Sequence, residues 1–221
     1  MTSPVKPQRR YDSSGRREVA RATRRKVLDA AHRLFVARGF AATTMSQVAE
    51  EAGVAVQTVY STVGGKAELL KQVLDVAVAG DDEEVAVADR PEIHRIAAET
   101  DGRRKLQMYA RHLRVGLERV ADLEQVLRAA ADVDPLVGEL LEAFAAQRLV
   151  GMTMMAENLR EQGLLRRGMT VAKAADVLWA HMDVRNYVAL VRERGWSPRE
   201  FERWYVDVTA AMLYKPGAQS G

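Results

Sequence analysis

The sequence contains no cysteine among its 221 residues, which excludes a disulfide framework and a cysteine-ligated zinc site. No apolar run approaches the roughly 18 residues that a membrane-spanning helix requires. The first 18 residues contain no apolar core of a secretory signal. From these absences we expect a cytoplasmic protein that makes no contact with a membrane.

Motifs of common enzymes and cofactor sites are missing as well. There is no P-loop, no dinucleotide-binding fingerprint and no nucleophile elbow. The four histidines are nowhere three or four residues apart, so no helix offers a histidine pair to a metal ion. We therefore predict a protein that is not an enzyme, with no catalytic residue, no metal site and no cofactor.

Strand-like alternation bounded by turns is also absent, whereas apolar residues recur at helical spacing along most of the chain. With 48% hydrophobic residues, the chain can build a substantial core. We predict an all-α fold. Helices are expected near 23–38, 44–52, 55–62, 66–79, 92–99, 103–120, 123–131, 135–162, 171–194 and 197–213.

Charge is distributed unevenly, although the net charge is only +3. Residues 1–39 hold 11 basic and 3 acidic residues, whereas residues 81–221 hold 20 and 23. A basic N-terminal end on a nearly neutral body favours a polyanionic partner such as nucleic acid. The alternative is a basic tail that is merely solvated. Residues 1–18 combine proline, serine and glycine with the arginines, so we predict a disordered basic arm there.

Two short helices separated by Gly53 have the spacing of a helix-turn-helix between about Thr44 and Thr62. Thr44 followed by Gln47 is a capping box that starts the first helix. Gly53 can adopt the positive φ that the tight turn requires. The second helix then directs the free backbone N–H groups and short side chains of its first turn toward a ligand.

Several side chains in and beside this motif suit double-stranded DNA. Gln57 can pair with an adenine edge in the major groove, while Thr58 and Tyr60 can bind phosphates. Lys66 opens the next helix, where its charge opposes the helix dipole, and a phosphate contact would explain that placement. The alternative is a helical bundle without a DNA role, in which Tyr60 is a core aromatic. The predicted DNA-binding residues are Thr44, Ala55, Val56, Gln57, Thr58, Tyr60, Ser61 and Lys66.

Residues 23–74 resemble the N-terminal domain of the TetR (tetracycline repressor-like) family. Ala55, Gln57 and Val63 stand where members of that family often have serine, glycine and phenylalanine, and these departures bear on which bases are read. The residues that carry the resemblance are TRRKVLDAA at 23–31, LF at 34–35, RGF at 38–40, TT at 43–44, VA at 48–49, AGV at 52–54, TVY at 58–60 and KAELL at 66–70.

The resemblance implies a helix-turn-helix domain joined to a larger helical domain. We accordingly divide the chain into the basic arm at 1–18, a DNA-binding domain at 19–80 and an effector-binding and dimerisation domain at 81–215. The implied function is a sequence-specific transcriptional regulator, a homodimer on a palindromic operator, which acts as a repressor and is released by an unknown small-molecule effector. The alternative is a helical protein that sequesters a small molecule or a protein partner without binding DNA.

In this family the last two helices of each subunit form a four-helix dimer interface, and residues 171–213 are apolar enough to do so. The alternative is that these side chains are buried within a single subunit. The predicted interface residues are Trp179, Met182, Tyr187, Val191, Phe201, Trp204 and Tyr205.

The helix expected at 135–162 is apolar nearly all round between Ala143 and Ala156, which predicts a central buried helix. Arg148 and Gln147 interrupt it, and a buried arginine needs a partner. That partner is either an internal carboxylate or an effector, for which we expect an anionic or carbonyl-bearing apolar compound. Methionines adapt readily to a bound ligand. The candidate pocket residues are Phe144, Gln147, Arg148, Met152 and Met155.

Overall fold

The computed structural model describes residues 14–83 and 85–215. Regular structure in these ranges is helical apart from one isolated bridge between Leu165 and Tyr214, so the predicted all-α fold is confirmed. No helix in this part of the chain is both long and apolar enough to cross a membrane. The helices are α1 (Ser14–Ala42), α2 (Met45–Ala52), α3 (Val56–Val63), α4 (Lys66–Ala79), α5 (Pro91–Ala98), α6 (Gly102–Ala131), α7 (Pro135–Glu161), α8 (Val171–His181), α9 (Val184–Tyr187) and α10 (Pro198–Leu213), with a 3₁₀ turn at Val87–Asp89 and a π-helical segment at Val188–Glu193.

Helices α1 to α4 pack around an N-terminal core of aliphatic and aromatic side chains. Phe35 of α1 is fully buried and stacks on Phe40, with ring centroids 5.8 Å apart. Gly39 interrupts α1 with a φ of 77°, which glycine adopts without steric cost. The buried hydroxyl of Thr43 lies within hydrogen-bond distance of the carbonyls of Leu34 and Gly39. The two carbonyls near the break in α1 therefore have a hydrogen-bond donor within the N-terminal unit.

The C-terminal body is a ring of four helices in which α6 packs on α7, α7 on α8, α8 on α10, and α10 on α6. Apolar and aromatic side chains from all four helices fill the centre. Burying one such side chain contributes about 1.5–3 kcal/mol, so this ring supplies most of the body's stability. The largest fully buried side chains of the ring include Leu106, Leu123, Leu127, Phe201 and Tyr205.

The end of α4 joins the N-terminal unit to this body. Arg119 of α6 donates to the carbonyls of Ala77 at 2.8 Å and Val78 at 3.1 Å. Both carbonyls lie in the last turn of α4, where the helix itself provides no donors. Arg24 of α1 pairs with Asp82 just beyond α4, with Nε 3.2 Å from Oδ2. Arginines from two helices thus hold the last turn of α4 and the residues that follow it.

Two of the helix boundaries predicted before α7 are wrong. Because α1 begins at Ser14, residues 14–18 are helical rather than disordered; residues 1–13 of the predicted arm lie outside the described residues. The helices predicted at 103–120 and 123–131 are one continuous helix, α6. No glycine or proline stands between those two segments to interrupt the hydrogen-bond ladder.

The helix predicted at 171–194 is also broken. It ends at His181, and a new short helix begins after Asp183, whose carboxylate accepts a hydrogen bond from the backbone N–H of Arg185 at 2.9 Å. An aspartate side chain competes with the helical backbone in this way and favours a helix start. The segment then continues as a π-helix at Val188–Glu193.

The predicted central helix, α7, is one side of the ring and is only half covered. Its inner face is buried, whereas its outer face exposes four large apolar side chains that we call the α7 outer row. The exposed fractions are 61% for Leu136, 40% for Leu149, 60% for Val150 and 49% for Met154. Apolar composition on every side of α7 therefore does not mean burial on every side.

Candidate nucleic-acid interface

The helix-turn-helix consists of α2 and α3 with Gly53 in the turn between them. Gly53 has a φ of 66° and a ψ of 39°, the left-handed conformation expected from the sequence. Thr44 Oγ1 accepts from the backbone N–H of Gln47 at 3.2 Å, and Gln47 Oε1 accepts from the N–H of Thr44 at 2.9 Å. The predicted capping box is therefore confirmed, and the Thr44 side chain is engaged in it.

Helix α3 begins without a side-chain cap. Ala55 occupies the N-cap position with an extended backbone (φ −69°, ψ 146°), and no side chain bonds to the first turn. The carbonyl of Ala55 accepts from the N–H of Thr58 at 2.9 Å. Since a helix N-terminus carries partial positive charge and unpaired N–H groups, the first turn of α3 can receive an anion such as a phosphate.

One face of α3 is open to solvent. Gln57, Tyr60 and Ser61 are exposed, and their spacing of three and four residues places them on the same side of the helix. Tyr60 is 49% exposed, so it is not a core aromatic. Val59 faces the opposite way and is fully buried, while Val56 is exposed at the start of the helix. The exposed polar side chains of α3 that could contact DNA thus lie on one face.

Two other predicted DNA-binding residues are partly engaged within the protein. Thr58 is half-buried. Lys66 Nζ donates to the carbonyl of Ala41 at 3.3 Å and lies 4.4 Å from the centroid of the Phe40 ring. Burial lowers the pKa of Lys66, and Asp134 opposes that shift. Lys66 therefore ties the start of α4 to the end of α1, and a phosphate would have to share its ammonium group with that contact.

Exposed basic side chains continue along α1. Arg17, Arg21 and Arg25 follow one another at four-residue intervals and are all exposed, as is Lys26. Such spacing places the three arginines on one face of the helix. Arg24 differs, because it binds Asp82 and the side chain of Gln72. A row of exposed arginines is a surface that attracts a phosphate backbone.

Arg148, the predicted anchor of an effector pocket, is paired within the subunit. Arg148 Nη2 lies 2.9 Å from Oδ2 of Asp183, its Nη1 donates to the carbonyl of Met182 at 3.0 Å, and its guanidinium lies 4.4 Å from the Trp179 ring centroid. The internal ion pair, the alternative interpretation, is therefore correct. Gln147 is exposed and points away from any interior site. Of the remaining candidates, Met152 and Met155 are buried and Phe144 is half-buried.

The predicted dimer-interface residues are divided between the core of the subunit and its half-buried periphery. Met182, Tyr187, Phe201 and Tyr205 are at most 2% exposed within one subunit. They fill the core of the ring, so they are not available to a partner subunit. The other three predicted residues, Trp179, Val191 and Trp204, are half-buried and pack against that core. The large apolar surface that stays uncovered lies instead on α7.

Sequence reasoning missed a set of polar groups at the centre of the ring, which we call the inner polar cluster: Tyr109, His181, Tyr205 and Thr209. The Tyr109 hydroxyl contacts Sδ of Met152 at 3.1 Å, and Nδ1 of His181 lies 3.2 Å from Oγ1 of Thr209. The Tyr205 hydroxyl is buried beside Thr209 and forms no well-aligned hydrogen bond with the described residues. Burial raises the pKa of both tyrosines, so their hydroxyls remain protonated.

A family model of bacterial regulatory proteins, the tetR family, matches residues 27–73. Over 59 residues the chain is 42% identical to the HTH-type transcriptional regulator TtgR of Pseudomonas putida. The matched segment is 27% of this chain and 28% of TtgR. The family model thus covers the helix-turn-helix region, and the match to TtgR reaches little more than a quarter of that relative's length.

Solved structures extend the likeness to the whole fold. SmeT of Stenotrophomonas maltophilia, in a complex with triclosan, gives a TM-score of 0.69 at 24% identity and covers 89% of this chain and 94% of that one. NalD of Pseudomonas aeruginosa gives a TM-score of 0.64 at 18% identity, over 89% and 98%. At these identities the comparison establishes a shared all-helical fold with an N-terminal helix-turn-helix and a helical C-terminal domain.

Proposed function

We propose that this chain, whose residues 27–73 belong to the TetR family of bacterial regulatory proteins, is a DNA-binding transcriptional repressor that works as a homodimer and responds to a small molecule. The observation that carries the proposal is the open face of α3 behind an uncapped first turn. The relatives named above support it, because TtgR is a transcriptional regulator and SmeT and NalD are repressors of multidrug efflux pumps.

In this proposal α3 enters the major groove of the operator. The side-chain amide of Gln57 pairs with an adenine edge, which is the contact that reads sequence. The N–H groups at the start of α3 and the Tyr60 hydroxyl bind phosphates, which position the helix without reading bases. Arg17, Arg21 and Arg25 add positive charge that draws the DNA in from a distance.

A palindromic operator requires two copies of the motif, about 34–36 Å apart. The α7 outer row is our proposed seam between the two subunits. Leu149, Val150 and Met154 are exposed close together on this helix, and an exposed apolar patch of this kind marks a surface that a partner covers. Leu136 lies apart from them, beyond the exposed Glu139 and Glu142. Between Glu142 and Glu157 the exposed side of α7 carries no charge, so a second copy of α7 can pack there without burying an ion.

The test is fluorescence anisotropy with a labelled duplex from the region upstream of the protein's own gene, against a scrambled duplex of equal length. We expect the dimer to prefer the upstream duplex. If it contacts roughly 6–10 phosphates, affinity should fall by on the order of a thousandfold or more between 50 and 200 mM salt. Equal binding to both duplexes, or a flat salt response, would contradict the proposal.

The small-molecule site that we propose is the inner polar cluster. All four helices of the ring surround it, since Tyr109 is on α6, His181 on α8 and Tyr205 on α10, and Met152 of α7 contacts Tyr109. Its Tyr205 hydroxyl lacks a well-formed partner, which is unfavourable for a buried polar group and is relieved by a ligand that hydrogen-bonds there. The flexible Met152 side chain can move aside. We expect an apolar ligand with a hydroxyl or carbonyl group.

Triclosan, an apolar phenol that SmeT binds in its complex, is a suitable probe. We expect it to quench the fluorescence of Trp204, whose ring centroid lies 6.1 Å from that of His181, and to release the operator duplex. Tyr205→Phe should weaken triclosan binding about 5- to 10-fold, a loss of one hydrogen bond. Tyr60→Phe, the same atomic change on α3, is the control and should bind triclosan like the wild type. Equal binding by both variants would remove the cluster as the site.

A further inference from the structure

We propose that the groove between α6 and α10 is a separate ligand site, for a small oxyanion with an apolar part. The groove has a volume of about 470 Å³ and is lined by the first turns of α6 and the middle of α10. None of its lining residues belongs to the helix-turn-helix, the inner polar cluster or the α7 outer row. The inference therefore rests on no part of the function proposed above.

Two ion pairs join α6 and α10 and define the walls of the groove. Arg103 Nη2 lies 2.7 Å from Oδ1 of Asp207, and Arg114 Nε lies 2.8 Å from Oε2 of Glu202. The later residue of α6 pairs with the earlier residue of α10, so the two helices run antiparallel. Both acidic residues that line the groove are thus already neutralised by arginines of α6.

Two further arginines in the groove have no such partner. Arg111 and Arg203 line it and are exposed, and neither forms an ion pair with the residues that the structure describes. Glu200, near Arg203, is committed to the start of α10, where its Oε2 accepts from the N–H and the hydroxyl of Ser197, each at 2.7 Å. The charge of Glu200 still acts on Arg203 and offsets part of it, so the net positive charge of the groove comes mainly from Arg111. A guanidinium offers parallel N–H donors that match the oxygens of a phosphate or carboxylate.

The floor of the groove is apolar. Val206 of α10 is 3% exposed, and Met108 of α6 is half-buried and packs against the core. A bare inorganic anion would leave this floor uncovered, whereas an alkyl or aryl group attached to the anion would cover it. The volume falls in the range of small-molecule sites, about 300–1,000 Å³. An anionic head group between Arg111 and Arg203 with a short apolar tail on Met108 and Val206 is the ligand that fits.

The experiment is isothermal titration calorimetry of the full chain with hexyl phosphate. Inorganic phosphate tests the charge alone, 1-hexanol the apolar part alone, and hexyltrimethylammonium the opposite charge. The variant is Arg111→Gln with Arg203→Gln. Its matched control is Arg166→Gln with Arg167→Gln, which removes the same charge from two exposed arginines outside the groove.

We expect hexyl phosphate to bind the wild type at one site per subunit and each of the other three compounds to bind at least tenfold more weakly. The groove variant should lose at least tenfold in affinity for hexyl phosphate, and the control variant should stay within twofold of the wild type. The inference is overturned if the wild type shows no saturable binding, if the cationic analogue binds equally well, or if both double variants lose affinity to the same extent. Circular dichroism shows whether each variant is folded.

Discussion

The guanidinium of Arg148 and the carboxylate of Asp183 are 2.9 Å apart, from Nη2 to Oδ2, and join α7 to the break between α8 and α9. Asp183 is 3% exposed. Burial on its own would raise the pKa of Asp183, but hydrogen bonds from Arg185 and Arg148 outweigh it and lower the pKa to about 2. The pair thus fixes the point where the polypeptide leaves α8 and turns into α9.

Replacement of Arg148 by methionine should destabilise the protein, because it leaves Asp183 buried with one cation instead of two. We expect the free energy of unfolding in urea at pH 7 to fall by about 2–4 kcal/mol. Arg185→Met removes the other partner, whose side chain is 67% exposed, and should cost less than about 1 kcal/mol. If both variants lose the same free energy of unfolding, the burial of the Arg148–Asp183 pair does not determine how much it stabilises the protein. The contribution of Asp183 should disappear as pH falls from about 4 to 2, since its pKa in the unfolded chain is near 3.9.

Lys105 should make the free energy of unfolding change with pH in the alkaline range. This side chain is fully buried, and its Nζ donates to the carbonyl of Ala97 at 3.0 Å and to the side chain of Asn158. Burial lowers its pKa to about 8 from 10.5, with Glu99 opposing the shift. Between those two values the unfolded chain holds a proton that the native state has lost, so stability attributable to Lys105 rises with pH.

The measurement for Lys105 is the difference in unfolding free energy between the wild type and Lys105→Met, followed from pH 7.5 to 10.5. This difference should move in favour of the wild type by up to about 3 kcal/mol. Comparison with a variant cancels the tyrosines, whose own titration begins in the same range. Lys173→Met, a change at an exposed lysine of α8, should retain the wild-type slope. A difference that stays constant with pH would show that Lys105 is charged or neutral throughout.

Gly80 should resist substitution for two reasons. It follows α4 with a φ of 88°, and an added Cβ would lie 2.8 Å from Nη1 of Arg119. Gly80→Ala should therefore lower the free energy of unfolding by about 1–3 kcal/mol and displace Arg119 from α4. Gly116→Ala is the control, since Gly116 lies within α6 with no atom near its Cβ position, and should raise stability by up to about 1 kcal/mol. The measurement is the melting temperature of each variant in thermal unfolding. If Gly80→Ala and Gly116→Ala shift it equally, the Arg119 contact does not restrict position 80.

Gln57 and Tyr60 should affect DNA binding in different ways. Gln57→Ala should relax preference at one base pair in each half-site, worth about 1–3 kcal/mol. Tyr60→Phe removes only a hydroxyl and should weaken binding to every duplex without changing the preference. Anisotropy titrations with the upstream duplex and its single-base variants measure both effects. If Gln57→Ala weakens all duplexes equally, Gln57 does not read a base.

Val150 should be essential for dimerisation, because it is 60% exposed in the middle of the α7 outer row. Val150→Glu would bury a charge at the proposed seam and should give monomers in analytical ultracentrifugation at micromolar concentration. Met212→Glu, on α10 with 40% exposure, should remain dimeric. If Met212→Glu gives monomers and Val150→Glu remains dimeric, the seam includes α10, one of the last two helices that the family resemblance implied.

The helix-turn-helix could be predicted in detail because its signals are local. Gly53 needs a particular φ, and Thr44 with Gln47 caps a helix within four residues, so each signal is complete in a short stretch of sequence. Whether Tyr60 lies on the surface or in the core was left open by the sequence and is decided by its 49% exposure in the fold. Local rules of capping and turn geometry thus described α2 and α3 correctly.

The C-terminal domain was predicted less well because its determinants are distant in sequence. The partner of Arg148 is 35 residues away, so periodicity shows that a partner is needed without showing which one. An apolar α7 has two faces, and sequence alone does not tell which face the subunit covers. The break at Asp183 had a visible signal, an aspartate that can cap a new helix, but the apolar pattern on both sides of it outweighed that signal.

Helix α3 has no side-chain oxygen at its N-cap, since position 55 holds alanine. Its neighbour α2 is complete by itself, with both halves of a capping box supplied by the chain. In the proposed complex a DNA phosphate would occupy the place of the missing cap, so part of what stabilises α3 would be held by the nucleic acid rather than by the polypeptide. The N-terminus of α3 would then be completed by the operator, and α3 would be more ordered in the complex than in the free protein.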